Sequence, residues 1–321
     1  MGAPTSTPYQ SGPLRKQVHV DVALSNFSVR YQNAQMIAEQ VLPVMPVNKD
    51  SNLYFTYGNE HFKSYDDVRK PGARAKRVEW SVDHDQSYTC IEHAQEIGIP
   101  DEVVADQDDP LNVELDSAQT LNDILALKLE ILTAAMMSTS GNYASGNSQD
   151  LSATGQWSDY KASDPIADVQ AAMSVVEKTL GMSPNSLLLS LPVFRVLRNH
   201  PKIVERCKYT EDRVVTPQLM ANAFEVQRIV VGKAVQDASL DPATPSRSYV
   251  WGTQAALFHY GTPGIKTVSF GQIFRRQGFR IADSWYEQDK NSKFIRVRDK
   301  YDIKSIATGA GFLFTNAIKT S

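Results

Sequence analysis

DPLNVELDSAQTLNDILALKLEILTAAMMSTSG, residues 109–141, holds the longest regular pattern in the chain. Leu111, Leu115, Ala118, Leu121, Leu125, Leu129, Leu132 and Met136 recur every three or four residues, the spacing that lines one face of an α-helix. Asp109 is placed to cap the first free amides. Pro110 fits the first helical position, where a missing N–H costs nothing, and Gly141 stands just past the far end. About 28 residues at 1.5 Å each make a rod of roughly 42 Å. Such a rod is either the backbone of an elongated subunit or the central core helix of a compact one, and its flanks have to decide.

Upstream, residues 1–17 are rich in Pro, Gly and Ser and poor in apolar groups, and so read as an extended arm that orders only against a partner. FSVRYQNAQMIAEQVLPVMPV (27–47) has a short helical centre around Asn33 to Gln40 and an extended exit. LYFTYGNEHF (53–62) suits a strand and VEWSVDHDQSYTCIEHA (78–94) a returning one, so 51–94 reads as a long two-stranded excursion. Its far end, RKPGARAKRVEW (69–80), carries the cations Arg69, Lys70, Arg74, Lys76 and Arg77 around a Pro-Gly turn. An isolated hairpin is marginal in water, so this one needs something to lie on.

Downstream, 140–164 is a polar Gly/Ser connector, and then helices and strands alternate. Asp164-Pro165 opens a helix ended by Gly181, NSLLLS is a buried strand, LPVFRVLRNHP a helix halted near Pro201, TPQLMANAF a helix capped by Thr216, and VQRIVVG a second buried strand. Residues 248–318 return to strand-like texture. The fold class is α+β.

Composition narrows the function classes. The 321 residues are 42% apolar and 21% charged with a net charge of −3, an ordinary folded chain with no global basic field for nucleic acid or anionic lipid. Two distant cysteines, Cys90 and Cys207, suit a reducing compartment rather than a disulfide framework. The N-terminus lacks the apolar core of a secretion signal, MGAPTS is only a weak myristoylation match, and no run of 18 apolar residues predicts a membrane helix. No phosphate-binding loop, dinucleotide fingerprint, nucleophile elbow or HExxH is present. Cys90 and His93 have C-x-x-H spacing but no second ligand pair, and DEVVADQDDP lacks the glycine and spaced ligands of a calcium loop, so neither a metal nor a cofactor is expected. An enzyme built on 160–235 would need convergent polar groups in a pocket, and the sequence nominates none.

What remains is a charge asymmetry. Asp101, Glu102, Asp106, Asp108, Asp109, Glu114 and Asp116 form an acidic stretch without Lys or Arg, beside the rod, while Arg69 to Arg77 contains no acid. A basic finger on one copy and an acidic patch on the next make a head-to-tail contact, the kind that closes into rings. Exposed pairs contribute only about 0–1 kcal/mol each, so they set register while Tyr54, Phe55, Tyr57 and Trp80 supply apolar burial.

The order of parts then resembles a known family. SVRYQNAQMIAEQVLPVMPV, LNVELDSAQTLNDILALKLE, SPNSLLLSLPVFRVLRNHPKIVERCKYT, VTPQLMANAFEVQRIVVGKA, YVWGTQAALFHY and GFLFTNAI together resemble the major capsid proteins of tailed bacteriophages, whose architecture is the HK97-type fold. The resemblance implies an N-terminal arm (1–50), an E-loop hairpin with its return strand (51–100), a peripheral domain with the spine helix (101–145), an axial α/β domain (146–265) and a β return to the peripheral domain (266–321). It implies a non-enzymatic protomer that assembles into pentamers and hexamers of an icosahedral shell, the virion capsid, after assembly in the host cytoplasm. Implied partners are other copies, a separate scaffolding protein, a portal, a decoration protein and packaged DNA held weakly, with Arg15 and Lys16 as candidate contacts; no membrane is implied. No cleaved leader is expected, nor a Lys–Asn cross-link through Lys63, Lys70 or Lys76. The rival within the fold is an encapsulin-like nanocompartment shell.

Overall fold

The computed structural model describes residues 36–57, 62–64, 67–72, 74–77, 82–105, 112–152, 155–208, 215–239, 244, 246–264 and 267–319. A short helix α1 (Ala38–Val41) leads into strand β1 (Val44–Val47), and β2 (Ser51–Tyr57) pairs with β3 (Val82–Thr89). After Cys90 the chain runs on as β4 (Ile91–Pro100), the short helix α2 (Asp101–Ala105) and the rod α3 (Val113–Ser138). Strand β5 (Ser148–Asp150) precedes α4 (Pro165–Leu180), β6 (Ser186–Ser190), α5 (Leu191–Arg198), α6 (Pro201–Cys207), α7 (Pro217–Phe224) and β7 (Arg228–Gly232). A small hairpin, β8 (Val235–Asp237) with β9 (Arg247–Tyr249), is followed by β10 (Ala255–Phe258), β11 (Gly271–Arg276), β12 (Ile281–Glu287), β13 (Ser292–Ser305) and β14 (Gly311–Thr315).

Two five-stranded sheets organise these elements. In the first, β13 is the axis: its 14 residues pair along one edge with β4 and along the other with β12 and then β11, all antiparallel, and β1 adds parallel to β11. The alternation in β13 (Phe294, Arg296 and Arg298 on one face, Ile295 and Val297 on the other) sends its apolar side to the rod. The second sheet has the order β5-β14-β10-β6-β7, with β6 buried at every position. Buried faces of α4, α5, α6 and α7 share one core with it.

Helix α3 spans 26 residues and touches both sheets. Ala118, Leu121 and Leu125 pack on Ile99, Ala282, Ile295 and Val297, while Leu129, Ala134 and Met137 join α1 and the second sheet. The cap is Asn112 rather than the expected Asp109: its backbone is extended and its Oδ1 accepts from the Leu115 amide at 3.1 Å, so the helix starts at Val113. Asp109, Pro110 and Leu111 lie outside the described residues.

Local signals elsewhere hold. Asp164 Oδ1 caps α4 through the Ala167 amide at 3.2 Å, Gly181 ends that helix at φ 73°, and Thr216 caps α7. Pro201 does more than halt a helix. The chain leaves helix α5 at Arg198, and Pro201 is the first residue of α6, capped by the His200 ring. The β return expected over 266–321 divides between the two sheets. β14 lies between β5 and β10 in the second sheet, because Phe312 and Phe314 complete the core under α4. Likewise α1 and β1, expected within an arm, are core elements, with Ala38, Val41 and Leu42 buried. No helix among the described residues is long and apolar enough to cross a membrane.

Candidate functional site

Outside the two five-stranded sheets lie the small β8–β9 hairpin and the β2–β3 hairpin, a two-stranded ribbon with a bulge between Tyr54 and Thr56. Its root is fixed firmly. Tyr54 and Tyr88 both stack on Phe274 of β11, at ring separations of 5.7 and 4.6 Å. Asp50 pairs with Lys300 at 2.8 Å and Arg276 at 3.3 Å, and these cations hold its carboxyl below the usual carboxylate range. The Thr89 amide donates to Asp302 Oδ2 at 2.8 Å, and the Cys90 amide to the Asp50 carbonyl at 2.7 Å. Beyond this root the described tip residues Arg69, Lys70, Arg74, Lys76 and Arg77 are all exposed. A rigid root and a cationic, solvent-facing end make a lever rather than a pocket.

The expected apolar half of the site is redistributed. Tyr54 is partly buried, its ring stacked on Phe274 of its own chain. Phe55 and Tyr57 lie on the β2 backbone with their side chains outside the described residues, as is all of Trp80. Exposed apolar groups on the ribbon that the sequence reading missed are Leu53, Phe62 and Val68.

The acidic stretch divides in the same way. Glu102 and Asp116 are exposed. Asp101 accepts from the Tyr286 hydroxyl, and Glu114 pairs with Lys293 at 2.7 Å, so both stitch the start of the rod to the first sheet. Asp106, Asp108 and Asp109 lie outside the described residues, as do Arg15 and Lys16. Among the described residues, the finger's cations and Asp101, Glu102 and Asp116 are exposed, while Asp101 and Glu114 are also bonded within the chain.

The polar groups that suggested chemistry are structural where they are described. Cys90 is buried, donates to the Phe274 carbonyl, and burial pushes its thiol up to about 11. His93 stacks on Tyr301 at 4.4 Å, and burial lowers its pKa. No group of three metal-ligating side chains occurs among the described residues. Ser163 and His200 sit 3.0 Å apart in a serine–histidine pair, yet both are buried. The other ring nitrogen of His200 accepts from the Lys202 amide at 3.3 Å rather than facing a carboxylate, which gives the ring a capping role.

One functional side chain escaped the sequence reading. Glu130, fully buried on α3, accepts from the Ile37 and Ala38 amides at 2.8 and 2.7 Å and from Trp251 Nε1 at 2.6 Å. Burial raises its pKa, against the opposing pull of those three donors. It joins the rod, the N-terminal helix and the second sheet's approach loop at one carboxylate. The available signal was an acid set between Leu129 and Ile131, among the mostly apolar residues of the rod's second half.

No family model matches the chain. It is 26% identical over 312 residues to a protein named major capsid protein from Burkholderia phage BcepMu, covering 95% of this chain and 98% of that one. It is 26% identical over 307 residues to a protein of the same name from Pseudomonas phage JBD67, covering 93% and 97%. Among solved structures, a phage-related protein from Bordetella bronchiseptica superposes with a TM-score of 0.77 at 26% identity, over 94% of this chain and 98% of that one. The capsid protein of cyanophage P-SCSP1u superposes at 0.59 with 10% identity, over 88% of both chains. An encapsulin from Synechococcus elongatus superposes at 0.51 with 9% identity, over 91% and 92%. The last two likenesses speak to the fold alone.

Proposed function

We infer that this chain is a phage major capsid protein of the HK97-type fold, a protomer that tiles an icosahedral shell. The observation that carries the reading is the match to chains of that name over 93–95% of this chain and 97–98% of those. Mechanism here is geometry. A rod bonded to both sheets transmits load between them without bending, and the anchored ribbon projects a cationic end that can overlap an adjacent copy.

Within that reading, the tip cations Arg69, Lys70, Arg74, Lys76 and Arg77 meet the exposed acids of the next copy's rod entry, Glu102 and Asp116 among them. The contact is head-to-tail, so repetition closes pentamers and hexamers rather than stopping at a pair. A scaffolding protein, a portal and a decoration protein are the partners this assembly calls for, with DNA enclosed and touched weakly, Arg15 and Lys16 being the arm's candidate contacts. Assembly would take place in the host cytoplasm and end in the virion. The protomer itself carries no catalytic role in this account.

Light scattering and negative-stain microscopy of the purified chain, with and without a scaffold, test the proposal. Closed shells or capsomer rings are expected, and R74E/K76E/R77E should weaken assembly while leaving the protomer's melting temperature unchanged. A monomer that never assembles with any scaffold rejects the reading. Particles filled with a protein cargo and free of DNA when isolated from cells would instead favour the nanocompartment.

A further inference from the structure

The ribbon was expected to reach for another copy, yet in the single chain Phe62, seven residues before its cationic tip, touches home. The Phe62 ring lies against Gly181, the left-handed residue that ends α4: a Cβ built on Gly181 would fall 2.6 Å from Phe62 Cε1 and 3.0 Å from Cζ. A side chain there would crowd the ring, and φ 73° already favours glycine. The seat has apolar neighbours along the chain. Val175 on α4 and Met182 just beyond it are exposed large hydrophobic residues, at 37% and 41%, and Phe62 itself remains 50% exposed. Gly181 therefore has a second role beyond ending its helix, as the floor of a shallow seat that holds one ring.

We propose that this seat parks the hairpin on its own subunit before assembly, so that each protomer holds its cationic tip in cis and must release it before the tip can engage a neighbour. The proposal rests on the shell reading for its consequence, while the seat is a property of the lone chain. The half-exposed ring gives a weak latch, which is what a reversible device requires: a strong one would trap the protomer. A hairpin parked about nine-tenths of the time cuts the assembly-competent population, and hence the apparent association constant, about tenfold. The stacked root at Phe274 and the Asp50 pairs lie at the opposite end of the ribbon, so the tip can swing while the root stays fixed.

Two measurements decide it. The photoreactive residue p-benzoyl-phenylalanine, placed at position 62 in the full chain and irradiated at protomer dilution, should give an intrachain adduct within 175–183, located by peptide mass spectrometry. No adduct there, or adducts elsewhere on the chain, would overturn the seat. F62A should fold with an unchanged melting temperature and lower the protein concentration at which shells form, by up to the tenfold above, while F62W restores the wild-type threshold. A folded F62A that needs more protein to assemble would overturn the latch, since Phe62 would then act between copies. If the wild type forms no shells with any scaffold, the shell reading fails, and the intrachain adduct alone decides the seat.

Discussion

Replacing Glu130 with glutamine isolates the junction on which the rod depends. The wild-type carboxylate offers acceptors to three donors on two other segments of chain: the Ile37 and Ala38 amides on Oε2 and the Trp251 indole on Oε1. Glutamine has one acceptor oxygen. If that oxygen keeps the two α1 amides, the side-chain NH2 meets the indole N–H, and a buried donor is left without an acceptor at a cost of about 1–3 kcal/mol. Two charge-assisted bonds also become neutral ones, each weaker by about 1 kcal/mol. The glutamine no longer buries a charge, which offsets part of that cost. A net loss of about 1–3 kcal/mol, the cost of the unpaired buried donor, is expected. Urea unfolding of the protomer, followed by tryptophan fluorescence, should show it. Hydrogen exchange should place it locally, with amide protection falling over residues 36–42 far more than over β6. E130Q with wild-type stability and unchanged protection at Ile37 and Ala38 would refute the reasoning.

Three further outcomes follow from neighbouring geometry. In Gly232→Ala the new Cβ would lie 2.2 Å from Trp251 Cδ1, so the indole must move and release Glu130; a stability loss of about 2–4 kcal/mol is expected, with a red-shifted fluorescence maximum. Phe274→Ala removes the ring on which Tyr54 and Tyr88 stack, costing about 3–5 kcal/mol and increasing protease cleavage between residues 58 and 81, whereas unchanged cleavage would mean that the root is held by its ion pairs alone. Burial lowers the His200 pKa, so its contribution to stability is present above the ordinary histidine value of 6.5 and is lost as pH falls through the folded-state value. Protonation also turns the ring nitrogen that caps α6 into a donor facing the Lys202 amide. The denaturation midpoint should therefore drop as pH falls below 6.5, and H200Q should flatten that part of the profile.

Local physics made much of this fold legible. The rod announced itself by its Leu spacing, and α4 and α7 by Asp-Pro and Thr-Pro starts, because caps and periodicity are properties of neighbouring residues. The hairpin strands were readable for the same reason, their aromatic and β-branched residues flanking a basic Pro-Gly turn. Failures came where distant pairing decides. Nothing near residues 311–315 says that they pair with β10 and β5 rather than with β13. Asp109 was a sound cap by type, but Asn112 is equally good and lies three residues before the amide it takes. The candidate surface divides in the same way: charge marked the tip and the acidic stretch, but only the fold shows that Glu114 and Asp101 are bonded within the chain, that Tyr54 stacks on Phe274, and that Glu130 ties the rod to two other segments.

The central claim is that the protein is a shell protomer whose hairpin tip contacts another copy. Electron cryomicroscopy of the assembled particle tests it most directly. The account predicts an icosahedral lattice of pentamers and hexamers in which density for Arg69 to Arg77 lies over the rod entry of an adjacent subunit, near its Glu102 and Asp116. A lattice in which that density stays on its own subunit, or points into solvent, would contradict the account.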